Sequence, residues 1–238
     1  MIIKLEAAEA AVHANYPVCA ALLLVEIDGA SEDVAWAITQ VQAMSERCGA
    51  REIRTARLET ERALLWKGRK AAFAAMGRIS PNYIVQDGVI PRTALSRVLR
   101  EIEQLSRAAR LRVANVFHAG DGNLHPLVLY DRSVAGEEHR AEELAGEILK
   151  ICVRAGGSIT GEHGVGEEKK NYMPMMFAEP DLATMQLVRR AFDPYSLSNP
   201  GKIFPRPRSA PSRAVNTVRT RWRRRASLNT FDRPSNDD

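Results

Sequence analysis

The sequence predicts an α+β fold, an antiparallel sheet with helices packed on one side. Three observations predict it. Segments with helical three-four spacing alternate with short apolar runs of strand character through the first 205 residues. Their order, β-α-β followed by α-β-β-α, suits two ferredoxin-like units. Neither G-x-G-x-x-G nor G-x-x-x-x-G-K-[ST] occurs along the chain, so no dinucleotide-binding or phosphate-loop unit is visible.

The elements follow in order. Val18–Ile27 (VCAALLLVEI) reads as a buried strand, and Asp28-Gly29-Ala30-Ser31 turns the chain. Ser31 is a candidate cap for a helix reaching about Cys48, in which Val34, Ile38, Val41 and Met44/Ser45 recur on one face. Ala50–Arg57 reads as a short strand and Glu59–Met76 as a helix. The Pro- and Gly-punctuated stretch Ser80–Pro91 contains a short strand, Tyr83–Gln86. Thr93–Ala109 is helical, with Leu95, Val98, Leu99, Ile102 and Leu105 on one face. A strand–turn–strand spans Arg112–Tyr130. Glu137–Ala155 is a helix with Leu144, Ile148 and Ile151 inward; the glycine-rich stretch Gly156–Gly166, a short helix and the helix Asp181–Phe192 complete the order.

The net charge of +5 over 238 residues suggests a nucleic-acid partner, but its location argues against one. Residues 206–238 carry nine Arg and three Asp, which leaves the first 205 residues at −1. This tail, rich in Arg, Ser and Pro and poor in apolar periodicity, reads as disordered. Basic stretches with an aromatic such as Trp222 can bind nucleic acid, and a frameshifted or extended reading frame gives similar composition; no catalytic residue is assigned there. The scattered Cys19, Cys48 and Cys152 form no CxxC pair, which favours a reducing, cytoplasmic compartment over a disulfide framework. The start lacks a basic region followed by an apolar one, and the apolar run Val18–Val25 is too short to span a bilayer. The chain therefore reads as soluble.

Two segments carry candidate chemistry. In FHAGDGNLHP, a two-residue type I′ turn at Asp121-Gly122 pairs His118 directly with His125, and Phe117 with Pro126. Two imidazoles so placed either share a metal ion or simply cap a hairpin. In GGSITGEHGVGEEKK, five glycines surround Glu162 and His163. Glycine permits close backbone approach to a ligand; the adjacent acid and imidazole either ligate a metal and accept a proton or are solvated in a flexible loop. Arg69, in WKGRKAAF, either clamps a carboxylate with two hydrogen bonds or lies on a solvated helix face. His13 and His139 read as solvent-facing, and Asn199-Pro200-Gly201-Lys202 reads as a turn.

Taken together, WKGRKAAF, YIVQDGVIPR, NVFHAGDGNLHPLVLYD, GGSITGEHGVGEEK and DPYSLSNPGKIFP, in this order, resemble the C-terminal domain of FAD-linked oxidases of the vanillyl-alcohol-oxidase type. Within that family the resemblance is to the group of glycolate oxidase flavoprotein subunits and D-lactate dehydrogenases, and it spans residues 5–206. It implies roles. His118, His125 and Glu162 match positions that bind a divalent metal, often zinc; His163 matches the active-site base; Arg69 matches a residue that binds the substrate carboxylate; Asn199 resembles a position near the flavin. Relatives specific for 2-hydroxyglutarate carry Asn and Lys where this chain has Leu127 and Val85, which disfavours a dicarboxylate.

The implied reaction oxidises a small 2-hydroxy acid, glycolate or D-lactate, to the 2-oxo acid with hydride transfer to FAD. In relatives a separate N-terminal domain of roughly 100–200 residues holds most of the flavin, and this chain has no room for it. The expected partners are therefore an FAD-binding domain or subunit, the hydroxy-acid substrate and electron-transfer subunits. Alone, the chain is expected to be inactive or only weakly active, as a truncated gene product, a fragment or half of a split enzyme. The other class of function is a metal- or ligand-binding module, or a subunit that completes another chain's active site.

Overall fold

The computed structural model describes Pro17, Cys19 and residues 21–205. His13, the residues Val18 and Ala20 of the first expected strand, and the expected disordered tail 206–238 lie outside the described residues. Five α-helices are described: α1 (Ser31–Arg47), α2 (Glu59–Met76), α3 (Leu95–Ala109), α4 (Glu137–Arg154) and α5 (Glu179–Phe192). They accompany four strands, β1 (Asn82–Val85), β2 (Gly88–Val89), β3 (Arg112–His118) and β4 (Asn123–Tyr130), in one antiparallel sheet. The predicted α+β class is the one observed.

Strand β4 is central. β3 pairs along one edge, from Arg112↔Leu129 to His118↔Asn123. β1 and β2 share the other edge in one continuous register, Asn82↔Tyr130 through Val85↔Leu127 and then Gly88↔Leu124. The break between β1 and β2 falls opposite Pro126, which has no N–H to donate. Its carbonyl still accepts from Gln86 N at 2.9 Å, so the two short strands stay in line. Val89 extends the sheet by an isolated bridge to Ser158, which ties the glycine-rich stretch to the sheet edge.

Alternation along β4 separates the two faces of the sheet. Leu124, Val128 and Tyr130 pack with Val98 and Ile102 of α3 and Leu144, Ile148 and Ile151 of α4 in the main core. The helical spacing of those residues matches that burial; Val98, Ile102 and Ile148 are inaccessible to solvent. On the opposite face Ala114, Val116, Leu127 and Leu129 meet Ala75 and Met76 at the end of α2. The same face, one turn further along the hairpin, carries the candidate site.

Several expectations are corrected. No strand is described within residues 21–27 or 50–57. A strand needs a partner edge, and these stretches have none among the described residues; Leu22 packs against the core cluster that holds Leu127 and Leu129. Ser31 is the first helical residue of α1, the cap position being Ala30 without a side-chain hydrogen bond. Thr93 lies in a 3₁₀ turn, Arg92–Ala94, that precedes α3.

Candidate metal and substrate site

The β3–β4 hairpin builds one side of the site. Its loop has four residues, 119–122, because the amides of both Asp121 and Gly122 donate to the His118 carbonyl, at 3.2 and 3.0 Å. His118 therefore pairs with Asn123, not with His125, and Pro126 faces Asn115 rather than Phe117. The reason lies just past the end of β2: Ile90 N donates to Gly122 O at 2.9 Å. With φ +73°, a Cβ on Gly122 would meet Ile90 O at 2.0 Å, so this glycine serves a close backbone approach instead of a two-residue turn. The shift is two residues, and a two-residue shift preserves the face. His118 and His125 remain diagonal neighbours, with ring centroids 5.6 Å apart at 87°.

The glycine-rich loop builds the other side. Asn123, buried beside His118, donates from Nδ2 to Glu162 Oε1 at 2.9 Å. A Cβ on Gly161 would lie 2.8 Å from the Asn123 amide, so glycine is what allows the loop this close. The Glu162 carboxylate then stands 3.8 Å from His118 Nε2 and 3.9 Å from His125 Nε2. His163 stacks on His125 with centroids 5.1 Å apart at 14°. Arg69 of α2 completes the group, with a guanidinium nitrogen 3.4 Å from His118 Nε2. Because Arg has only donors, that contact requires a lone pair on His118 Nε2, the same lone pair that a metal would take.

Two sets of ligating atoms lie within 4.8 Å of one another, His118–His125–Glu162 and Asp87–His125–His163. Their environments differ. In the first, Glu162 and His118 are about half exposed and open toward solvent, with His125 beneath them. In the second, Asp87 is inaccessible and its Oδ2 already accepts from Thr160 Oγ1 at 2.7 Å, the amides of Gly161, Glu162 and His163, and Lys169 Nζ at 3.2 Å. The ammonium paired with that oxygen disfavours a second cation beside it. Burial, the largest influence on Asp87, pushes its carboxyl up. The hydrogen bonds from His163, Thr160, Gly161 and Glu162 prevail and hold it well below the usual carboxylate range. Burial also lowers the pKa of His125, against the opposing pull of Asp87 and Glu162. A neutral imidazole is the form that ligates a metal.

The structure thus brings Arg69, His118, His125, Glu162 and His163 together from four separate segments. Asn199 is placed differently. It sits in an exposed turn at φ 44°, its carbonyl accepting from Arg189, and no described contact joins its side chain to the histidines. The turn is nevertheless tied to the loop after His163, through Ile203 N to Gly166 O at 2.7 Å and Lys170 Nζ to Gly201 O at 3.1 Å. Sequence reasoning missed Asp87, Asn123, Thr160 and Lys169. A carboxylate interrupting the Tyr83–Ile90 apolar stretch was the available signal for Asp87. His139 is solvent-facing as expected, 3.3 Å from Glu143. No described helix is long and apolar enough to cross a membrane.

Residues 3–203 match the family described as FAD linked oxidases, C-terminal domain. Among curated proteins the chain is similar to the glycolate oxidase subunit GlcD of Escherichia coli (strain K12), 52% identical over 204 residues that cover 85% of this chain and 41% of that protein. It is 35% identical over 184 residues to the glycolate oxidase subunit GlcD of Bacillus subtilis (strain 168), covering 77% of this chain and 39% of that protein. It is 30% identical over 190 residues to the mitochondrial D-lactate dehydrogenase [cytochrome] 1 of Saccharomyces cerevisiae, covering 76% and 32% respectively. The chain spans about two fifths of the length of the two glycolate oxidase subunits.

Proposed function

Because this chain belongs to the FAD-linked oxidases, as a C-terminal domain of that family, we propose that it supplies the substrate side of a flavoenzyme that oxidises glycolate or D-lactate to the 2-oxo acid. The observation that carries this reading is the convergence of two hairpin histidines with the Glu162-His163 pair and Arg69. The partners it calls for are the hydroxy acid, an FAD-binding domain or subunit and an electron acceptor.

The residues present fit a divalent ion such as zinc. Ligands on a tetrahedral zinc at about 2.0–2.1 Å lie roughly 3.3 Å apart, and the Glu162 oxygens stand 3.8 and 3.9 Å from the two Nε2 atoms. Those distances run to different Glu162 oxygens, and the three ligating atoms all lie within 4.8 Å of one another; rotation of the half-exposed Glu162 and His118 side chains would draw them together. His118, His125 and Glu162 would hold the ion; when bound, it acidifies a hydroxyl that ligates it. His118, Glu162 and His163 are exposed on one side of the site; FAD, when bound, provides the hydride acceptor.

The chain's own residues account for the rest. Arg69 neutralises and orients the substrate carboxylate through paired N–H donors. His163, exposed beside Glu162 yet stacked on His125, takes the hydroxyl proton at its ring nitrogen. Asn123 holds the Glu162 carboxylate in place through Nδ2. Val85 and Leu127 pair across the sheet and pack into the apolar cluster beneath the site, which offers no cation to a second carboxylate. Asn199, in the turn docked on the Gly166–Lys170 segment, is the residue assigned to the flavin side.

The test is a substrate panel on the protein assembled with an FAD-binding domain, with and without zinc. The reading expects turnover of glycolate or D-lactate above that of D-2-hydroxyglutarate. Zinc binding with no turnover of any hydroxy acid would instead favour a metal- or ligand-binding module.

A further inference from the structure

We infer that Asp87, paired with the buried Lys169, is a positioning residue of this site, setting the backbone of Gly161, Glu162 and His163 so that both functional side chains face the hairpin histidines. The inference rests on the roles assigned above to Glu162 and His163. Asp87 continues the β1–β2 ladder, and its register places it opposite His125, with Oδ1 3.9 Å from that ring's Nδ1. Its carboxylate gathers three consecutive amides, those of Gly161, Glu162 and His163, and the Thr160 hydroxyl. Lys169 binds both the carboxylate and the Asp87 carbonyl, at 3.2 and 3.1 Å, which secures the far end of the same loop.

Apolar packing holds the loop at Ile159 and Val165, on either side of this stretch. Gly161, Glu162, His163 and Gly164 are all exposed, so apolar packing does not hold them. The Val89–Ser158 bridge ends two residues before the anchored stretch. Three amides converging on one fixed acceptor set where the chain runs, and the direction in which Glu162 and His163 project follows from that. Supporting groups of this kind govern metal affinity without touching the ion.

The test measures Zn²⁺ affinity by chelator competition, the Co²⁺ absorption spectrum, amide exchange at residues 161–163 and thermal stability on the full chain. Asp87→Asn should weaken Zn²⁺ binding by about 10–100-fold, alter the Co²⁺ spectrum and expose the three amides. It should also lower the melting temperature, because it strands a buried ammonium. In Asp87→Asn combined with Lys169→Met the stranded charge is gone, so stability should recover while metal affinity stays low. Recovery of affinity together with stability would overturn the inference, since Asp87 would then only stabilise the fold. Should neither variant fold, Thr160→Val decides: it should cost about two- to tenfold in affinity, the worth of one hydrogen bond, and unchanged affinity and exchange would overturn the proposal. A wild-type chain that binds no Zn²⁺ refutes the metal assignment instead; amide exchange at residues 161–163 then decides the positioning role by itself.

Discussion

Lys169 Nζ and Asp87 Oδ2 meet at 3.2 Å across 82 positions of sequence, with side chains only 4% and 0% exposed. Removing one partner of such a pair leaves a buried charge uncompensated. Lys169→Met should therefore destabilise the chain by about 3–5 kcal/mol, measured as a fall in the urea midpoint with the slope unchanged.

Gly161 passes so close to Asn123 that a methyl group would stand 2.8 Å from its amide. Gly161→Ala should push Asn123 from Glu162, costing about 1–3 kcal/mol of stability through overpacking. Zn²⁺ affinity should fall with it, whereas Gly120→Ala, where the backbone is not left-handed and no heavy atom lies within 4 Å of the new Cβ, should leave the Asn123–Glu162 hydrogen bond intact. Chelator competition and the Asn123 side-chain amide resonances would report the two effects.

Cys152 is fully buried, and burial pushes its thiol from 9.0 up to about 12. The sign follows from linkage: between those values the unfolded chain has lost a proton that the folded chain retains. This contribution to stability is complete below pH 9.0 and is lost as pH rises toward 12. Denaturation series from pH 8 to 11 should show a steeper decline for wild type than for Cys152→Ala. At pH 8 iodoacetamide should label exposed Cys48 in the native protein and reach Cys152 only after unfolding.

Much of this arrangement was legible from pattern alone. The helix expected at Glu59–Met76 has the bounds of α2, and the inward residues of α3 and α4 follow from apolar spacing, because tertiary burial enforces that period. The hairpin histidines share a face in either register, so their proximity survived an error in the turn. The turn itself was misread because Asp-Gly preference is local, whereas Gly122 answers to Ile90, just past the end of β2. Val18–Ile27 and Ala50–Arg57 have strand composition, yet strand formation depends on an edge to pair with, which a one-dimensional pattern does not contain. Asp87 was missed for a related reason: its donors lie more than 70 positions away, and only folding brings them to it.

Anaerobic reduction of the flavin by glycolate or D-lactate, followed in the assembled, zinc-loaded enzyme, puts the central claim to its most direct trial. Wild type should bleach the flavin, and His163→Ala should do so at least about 100-fold more slowly while binding zinc as tightly as before. Equal bleaching rates in the two proteins would contradict the account.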